Sequence, residues 1–436
     1  MLKFLIGAGL LALATPAVAE PDYATAIRAD YDKDLGALFD WFHRNPELSF
    51  KEVNTAARMA KELRAAGATV TEGVGGTGVV AILRNGAGPT VLVRADMDGL
   101  PLKEASGLPN MSVARQVGID GVENPVMHAC GHDTHITALV ATARRLAAMK
   151  DRWKGTVVMI VQPAEERVGG AAAMLKDGLY TRFPKPDVAL AFHVNSGQPT
   201  GTISASEGIQ YSSADSVDIS VPGVGAHGAA PDTGKDPVYM ASQIVIALQG
   251  LISREKGPLV PGVITVGSFH AGTKHNIISD EARLQVTVRA NDEKTRAQLI
   301  AGIRRVAEGV GRLNGMADDK LPKVVVSEGT PTTINDAALA RRLNATMVRE
   351  LGAAAVIPFT QYGMGAEDFS YLIQPALKVP GYYFSVGGTP KAALDAAAKG
   401  GPPVSSHHSP LFKVDARASV VTGATAMTAA VLEVLK

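Results

Sequence analysis

VLVRADMDGLP, residues 91–101, is a short apolar run that ends on two aspartates and a turn. Residues 91–95 read as a buried strand, and Asp96 and Asp98 then fall just beyond its carboxyl end. Runs of the same kind recur at 79–83, 157–161 and 188–193. Helical patterns surround them at 23–44, 52–66 and 133–149. In the last of these, Ile136, Leu139, Val140, Ala143, Leu146 and Ala147 share one face. Strands alternating with helices predict an α/β catalytic domain with a mostly parallel sheet flanked by helices.

The pattern changes near residue 212. Val217, Ile219 and Val221 alternate with polar residues, a helix is predicted at 237–254, and strands follow at 263–269 and 282–289. A helix at 294–313 and a closing strand at 324–326 complete the order β-α-β-β-α-β, which predicts an inserted ferredoxin-like α+β lid or dimerisation domain. The expected division is a signal peptide at 1–19, a catalytic domain at 20–211 and 327–436, and an insert at 212–326.

The formal charge of +1 and the absence of a long Lys/Arg run argue against nucleic acid as a partner. Lys3, an apolar stretch over residues 4–15 and Ala17-Val18-Ala19 before Glu20 form the pattern of a cleaved export signal. That stretch falls short of the ~20 residues a membrane helix needs, so stable membrane insertion is not expected. Cleavage near Ala19 would leave a periplasmic or secreted chain. Cys130 is the only cysteine and cannot form an internal disulfide, so in an oxidising compartment a buried or metal-bound thiol is expected.

Cys130 and His132 stand in MHACGHD, on a tight glycine turn just before a helix. Thiolate and imidazole are ligands suited to zinc or a similar transition metal. Asp96 and Asp98, Glu165-Glu166 in QPAEE and His193 in AFHV all follow predicted strands, and His407-His408 lie near the C-terminus. Ligands of open α/β sheets collect beyond the carboxyl ends of the strands, so this inventory points to one site with donors for two metal ions. A lone pair of glutamates is ordinarily a solvated loop pair. Beyond a strand and a Pro-Ala turn, one can bind metal while its neighbour faces the attacking water, which makes Glu165 the candidate base.

RADMDGLP, MHACGHDTH, QPAEE, GAHGAAP and GAEDFS, in this order, resemble the motifs of the aminoacylase and carboxypeptidase group of co-catalytic metallopeptidases. The likeness is to its hippurate hydrolase and auxin-conjugate amidohydrolase branch, and it runs from HRNPELSF at His43 to the HHSPLF that holds His408. The resemblance implies Cys130 as a ligand bridging two divalent ions (Zn, Mn, Co or Ni), with His132, Glu166, His193 and His408 completing their shells. It implies Glu165 as general base and Asp98 as a residue orienting a ligand or the base. His408 is preferred to His407 because it directly precedes Ser409-Pro410. His227 in GVGAHGAAP would come from the insert of a partner subunit and reach the substrate carbonyl, which implies a homodimer or higher homo-oligomer. Asn276 matches the substrate-binding turn, and Arg289 suits capture of an amino acid carboxylate. His128 and His135 read as packing or supporting residues, and His270 and His275 carry no role.

Three features depart from the family pattern. Ser279 replaces a proline, Arg167-Val168 replace a glycine-type turn, and residues 105–126 form a long segment placed to line the entrance. The expected activity is hydrolysis of an N-acyl amino acid, with a carboxypeptidase or dipeptidase acting on short peptides as the alternative. A non-catalytic metal- or peptide-binding protein is a third reading. It is disfavoured because the base and all five ligand candidates are present.

Overall fold

A computed structural model describes residues 22–436, so the expected signal segment lies outside the described residues. The first layer is built on β1 (Thr69–Val74), β2 (Gly78–Asn85), β3 (Thr90–Asp96), β4 (Gly155–Gln162), β5 (Val188–Pro199) and β6 (Ile203–Ser204). The chain then builds a second sheet from β7 (Ser213–Pro222), β8 (Gly262–Ala271), β9 (Glu281–Ala290) and β10 (Lys323–Thr330), and returns to the first sheet with β11 (Gly381–Thr389).

The first sheet has the order β1-β2-β4-β3-β5-β11-β6. Its four central strands, β4, β3, β5 and β11, run parallel, while antiparallel strands close both edges. Alternation along the strands divides the core between the two faces. Val91, Val93, Val157, Met159 and Leu190 pack with residues of the helices Val53–Ala65, His132–Ala148 and Ala416–Val434. Leu92, Val158, Ile160 and Ala189 face the opposite layer, with Met174, Phe369 and Leu372. The expected helix at 23–44 is present, with a π-turn at Tyr31–Leu35 between its α segments.

The second sheet is antiparallel, in the order β8-β9-β7-β10, with helices Pro237–Gly250 and Glu293–Leu313 packed on it. Two helices on one face of an antiparallel sheet of this order make a ferredoxin-like layer pair. Its last strand reaches Thr330. No helix among the described residues is long and apolar enough to cross a membrane.

Candidate active site

The loops at the carboxyl ends of the parallel strands converge as the motif order requires. Gly131, at φ 83°, makes the turn between Cys130 and the helix His132–Ala148, and a side chain there would meet Val194 Cγ1 at 2.4 Å. Only glycine fits so close an approach in the left-handed region. Beyond β4, Ala164 at φ 49° and Val168 at φ 46° bracket the turn that carries Glu165 and Glu166. Val168 thus holds the left-handed backbone that the replaced glycine would have favoured, an uncommon conformation for a β-branched residue.

Asp98 clamps this turn. Its Oδ1 accepts from the Glu165 amide at 3.0 Å, and its Oδ2 accepts from the Glu166 amide at 3.1 Å and from Ser49 Oγ at 2.7 Å. Glu52 Oε1 accepts from the Ala164 amide at 2.9 Å and supports the turn from the other side.

Hydrogen bonds decide which nitrogen of each ring is free. His132 Nδ1 donates to Asp98 O at 2.8 Å, leaving Nε2 unpartnered 3.9 Å from Glu166 Oε1 and 4.0 Å from Glu165 Oε2. His193 Nδ1 donates to Val194 O at 2.6 Å, so its Nε2 lone pair faces Cys130 Sγ at 3.4 Å. His408 Nε2 lies 3.3 Å from Glu166 Oε2, and its backbone, at φ 62°, is tied to Ala129 O through its amide. His135 is saturated, with Nδ1 on Asp96 Oδ1 at 2.5 Å and Nε2 accepting from the Val194 amide at 2.9 Å. His407 Nε2 accepts from the Ser196 amide at 3.2 Å, so in the neutral ring Nδ1 carries the proton toward Cys130 Sγ, 3.7 Å away. His407 therefore acts as a donor to sulfur.

The donor atoms of Cys130, Glu166 and His408 lie within 4.8 Å of one another, and so do those of His132, Glu165 and Glu166. Burial pushes the Cys130 thiol well up, with Glu166, Glu165 and Asp96 adding to it. Burial, followed by Glu367 and Glu166, likewise raises Glu165. Crowded acceptors, the unpartnered buried atoms His132 Nε2 and Glu166 Oε1, and mixed S/N/O chemistry fit divalent metal ions.

These groups open into a cavity of about 600 Å³, lined also by Tyr211, Arg289, Glu367 and Val168. Arg289 reaches it from β9, and its guanidinium has no hydrogen-bond or ion-pair partner among the described residues. The family model for peptidase family M20/M25/M40 matches residues 92–400, most of the chain.

The chain belongs to peptidase family M20/M25/M40.

Among M20 relatives it is 39% identical over 298 residues to hippurate hydrolase of Campylobacter jejuni, covering 67% of this chain and 73% of that one. It is 35% identical over 365 residues to thermostable carboxypeptidase 2 of Saccharolobus solfataricus, covering 81% and 87%. It superposes with TM-score 0.74, at 27% identity and over 94% and 99% of the two chains, on Bacillus subtilis YXEP, described as a dinuclear metal binding peptidase. As an M20 protein it is a hydrolytic enzyme acting on amide bonds.

Not every expected residue joins the cavity. His227 pairs with Ile277 in a two-stranded ribbon, and Gly228 donates to Asn276 O at 2.8 Å, so His227 and Asn276 stand side by side. Neither lines the metal cavity of its own chain. Residues 105–126 do not line it either. They form a hairpin, Arg115–Val117 with Glu123–Pro125, and the walls of two other cavities. The cause is anchoring away from the mouth, with Leu48 donating to Gln116 Oε1 and the Ser112 amide to Glu104.

Sequence reasoning passed over Arg94, Glu52, Tyr211 and Glu367. Arg94 is fully buried, with Nη1 2.6 Å from Asp96 and Nη2 2.6 Å from Glu367 and 3.0 Å from Asp368. A charged residue inside an apolar strand was the available signal, because such a group is retained only with partners.

Proposed function

We propose that this chain is an exported, dinuclear metal-dependent amidohydrolase that cleaves N-acyl amino acids. The observation that carries the substrate class is the unpaired Arg289 guanidinium in a cavity otherwise rich in acids. A cation so placed suits a substrate with a free carboxylate next to the scissile amide. The named activity of the hippurate hydrolase relative supports the same reading.

Cys130, His132, Glu166, His193 and His408 are the proposed ligands of two divalent ions, drawn from Zn, Mn, Co and Ni. When bound, such ions supply the positive charge that eases water deprotonation and polarises the amide carbonyl. Asp98 holds the Glu165-Glu166 turn in register. Glu165 takes the proton from the attacking water and delivers it to the leaving nitrogen. Arg289 orients the substrate through its carboxylate.

Dimerisation through the insert belongs to the same proposal. β8 is a free sheet edge, and Tyr239, Ile246 and Phe269 are exposed large apolar side chains of the insert. A second copy covering such a surface would carry its own His227 toward the carbonyl oxygen. Export rests on the pattern of residues 1–19.

The carboxypeptidase reading is favoured by the Saccharolobus relative and shares the need for a carboxylate. A turnover screen of N-acyl amino acids, their methyl esters and dipeptides, run with each metal, tests both. Preference for free-carboxylate N-acyl substrates is expected. Equal turnover of the methyl esters would refute carboxylate capture, and preference for dipeptides would establish the peptidase.

A further inference from the structure

A second cavity, of about 330 Å³, lies behind the metal-bearing turn. This is at the lower end of the ~300–1,000 Å³ typical of small-molecule sites. Its floor is His128, which is 2% exposed and has neither ring nitrogen hydrogen-bonded to any described residue. A buried imidazole without partners is costly, and a ligand in the adjoining space would satisfy it. The wall at Leu108, Pro109 and Asn110 comes from the long segment that departs from the family pattern.

The other polar groups on the lining show what kind of ligand is missing. Asp133 is committed, with Oδ2 on His43 Nδ1 at 2.7 Å and Oδ1 accepting from the Thr134 amide at 2.8 Å. His43 is committed too, its Nε2 lying 3.2 Å from Glu104. At the exposed rim Asp40 Oδ1 accepts from Asn110 at 2.8 Å. The cations are less fully used. Arg44 Nη2 makes one bond, to Pro109 O at 3.1 Å, and Lys413 Nζ makes one, to Ser106 O at 3.4 Å. Each keeps most of its donors free. Phe39, Leu108 and Phe412 supply apolar walls.

We propose that this cavity binds a small carboxylate with a compact apolar body, its carboxylate accepting from a ring nitrogen of His128 and from Arg44 and Lys413, and its body enclosed by Phe39, Leu108 and Phe412. The site is distinct from the metal cavity, and the two share no lining residue. It is close in sequence and contact to the metal-bearing elements. His128 is in the Cys130 turn, Asp133 follows His132, and the Phe412 ring lies 4.7 Å from that of His407.

Crystals of the metal-loaded protein soaked in 4-bromobenzoate locate the ligand by the anomalous signal of bromine, and calorimetry with benzoate measures binding in solution. A bromine peak between Phe39 and Phe412 is expected. Arg44→Gln with Lys413→Met should weaken benzoate binding at least tenfold, and Leu108→Trp, which fills the cavity without changing charge, should do the same. Turnover without benzoate should be unchanged in both variants. Bromine in the metal cavity alone or in neither cavity, or wild-type affinity in either folded variant, would overturn the proposal. Because the readouts are position and affinity, its failure is separate from failure of the amidohydrolase reading.

Discussion

Arg94→Met tests whether one buried cation holds the acidic wall of the metal cavity together. Arg94 is surrounded by Asp96, Glu367 and Asp368, and its Nε also donates to Gln162 at 2.9 Å. Methionine fills much of the same volume, so the loss is one of charge more than of packing. Removing one member of a buried ion pair typically costs ~3–5 kcal/mol, because the remaining charge stays buried and uncompensated. Here three carboxylates lose the same partner, so ~3–5 kcal/mol is a lower bound. Against a total stability of ~5–15 kcal/mol that leaves a marginal fold.

The loss should depend on pH. Burial, opposed by Arg94 and reinforced by Glu367, raises Asp368 to about 7. An acid raised in the folded state keeps a proton there that the unfolded chain loses near pH ~4, so stability falls as pH climbs through that window. Without Arg94, Asp368 rises further. Asp96, which burial alone would raise but Arg94, His132 and His135 hold well below its usual range, rises with it. The Asp368 part of the deficit relative to wild type should therefore be small near pH 5 and full near pH 8. The Asp96 part opens from below pH ~4 and is already present at pH 5, so the total deficit should be larger at pH 8 than at pH 5. Urea unfolding of chelator-treated protein at both pH values measures it. A deficit below ~1 kcal/mol at pH 8, the scale of an exposed pair, would refute the reasoning, as would an equal deficit at both pH values.

The proposed roles give three further outcomes. Glu165→Gln should retain metal and lose ~10²–10⁴-fold in turnover, since the amide cannot accept a proton, whereas Glu166→Gln should also weaken metal retention. Turnover and elemental analysis together separate the two, and near-wild-type turnover in Glu165→Gln would remove the base. Cys130→Ala should lose at least one ion per chain, and unchanged stoichiometry would take Cys130 out of the centre. If His227 acts across a dimer, mixed His227→Ala and Glu165→Gln subunits should recover roughly a quarter of wild-type activity after exchange, since random pairing makes half the dimers mixed with one complete site each. No recovery after verified exchange would confine His227 to its own subunit or to no role.

Periodicity made most of the fold legible. β3, β4 and β5 are runs whose burial on both faces leaves little but apolar residues, and the helix His132–Ala148 starts one residue before its expected position. The antiparallel edges of the first sheet were not legible, because strand direction is decided by long-range pairing rather than by local composition. The same limit applies within the site. Cys130 and His132 could be singled out because they lead directly into a recognisable helix, and His193 because it ends a recognisable apolar run. The division between His407 and His408 depends on an amide from Ser196, more than two hundred residues earlier in the chain, which occupies one imidazole nitrogen and leaves the neighbouring ring to face Glu166. The long segment at 105–126 shows the opposite case. Its length was visible and its adjacency to Cys130 suggested the metal cavity, yet hydrogen bonds to Leu48 and Glu104 turn it to the other side of the motif. Proximity along the chain identified the motif it supports, but the direction from which it does so follows from two hydrogen bonds that no local pattern encodes.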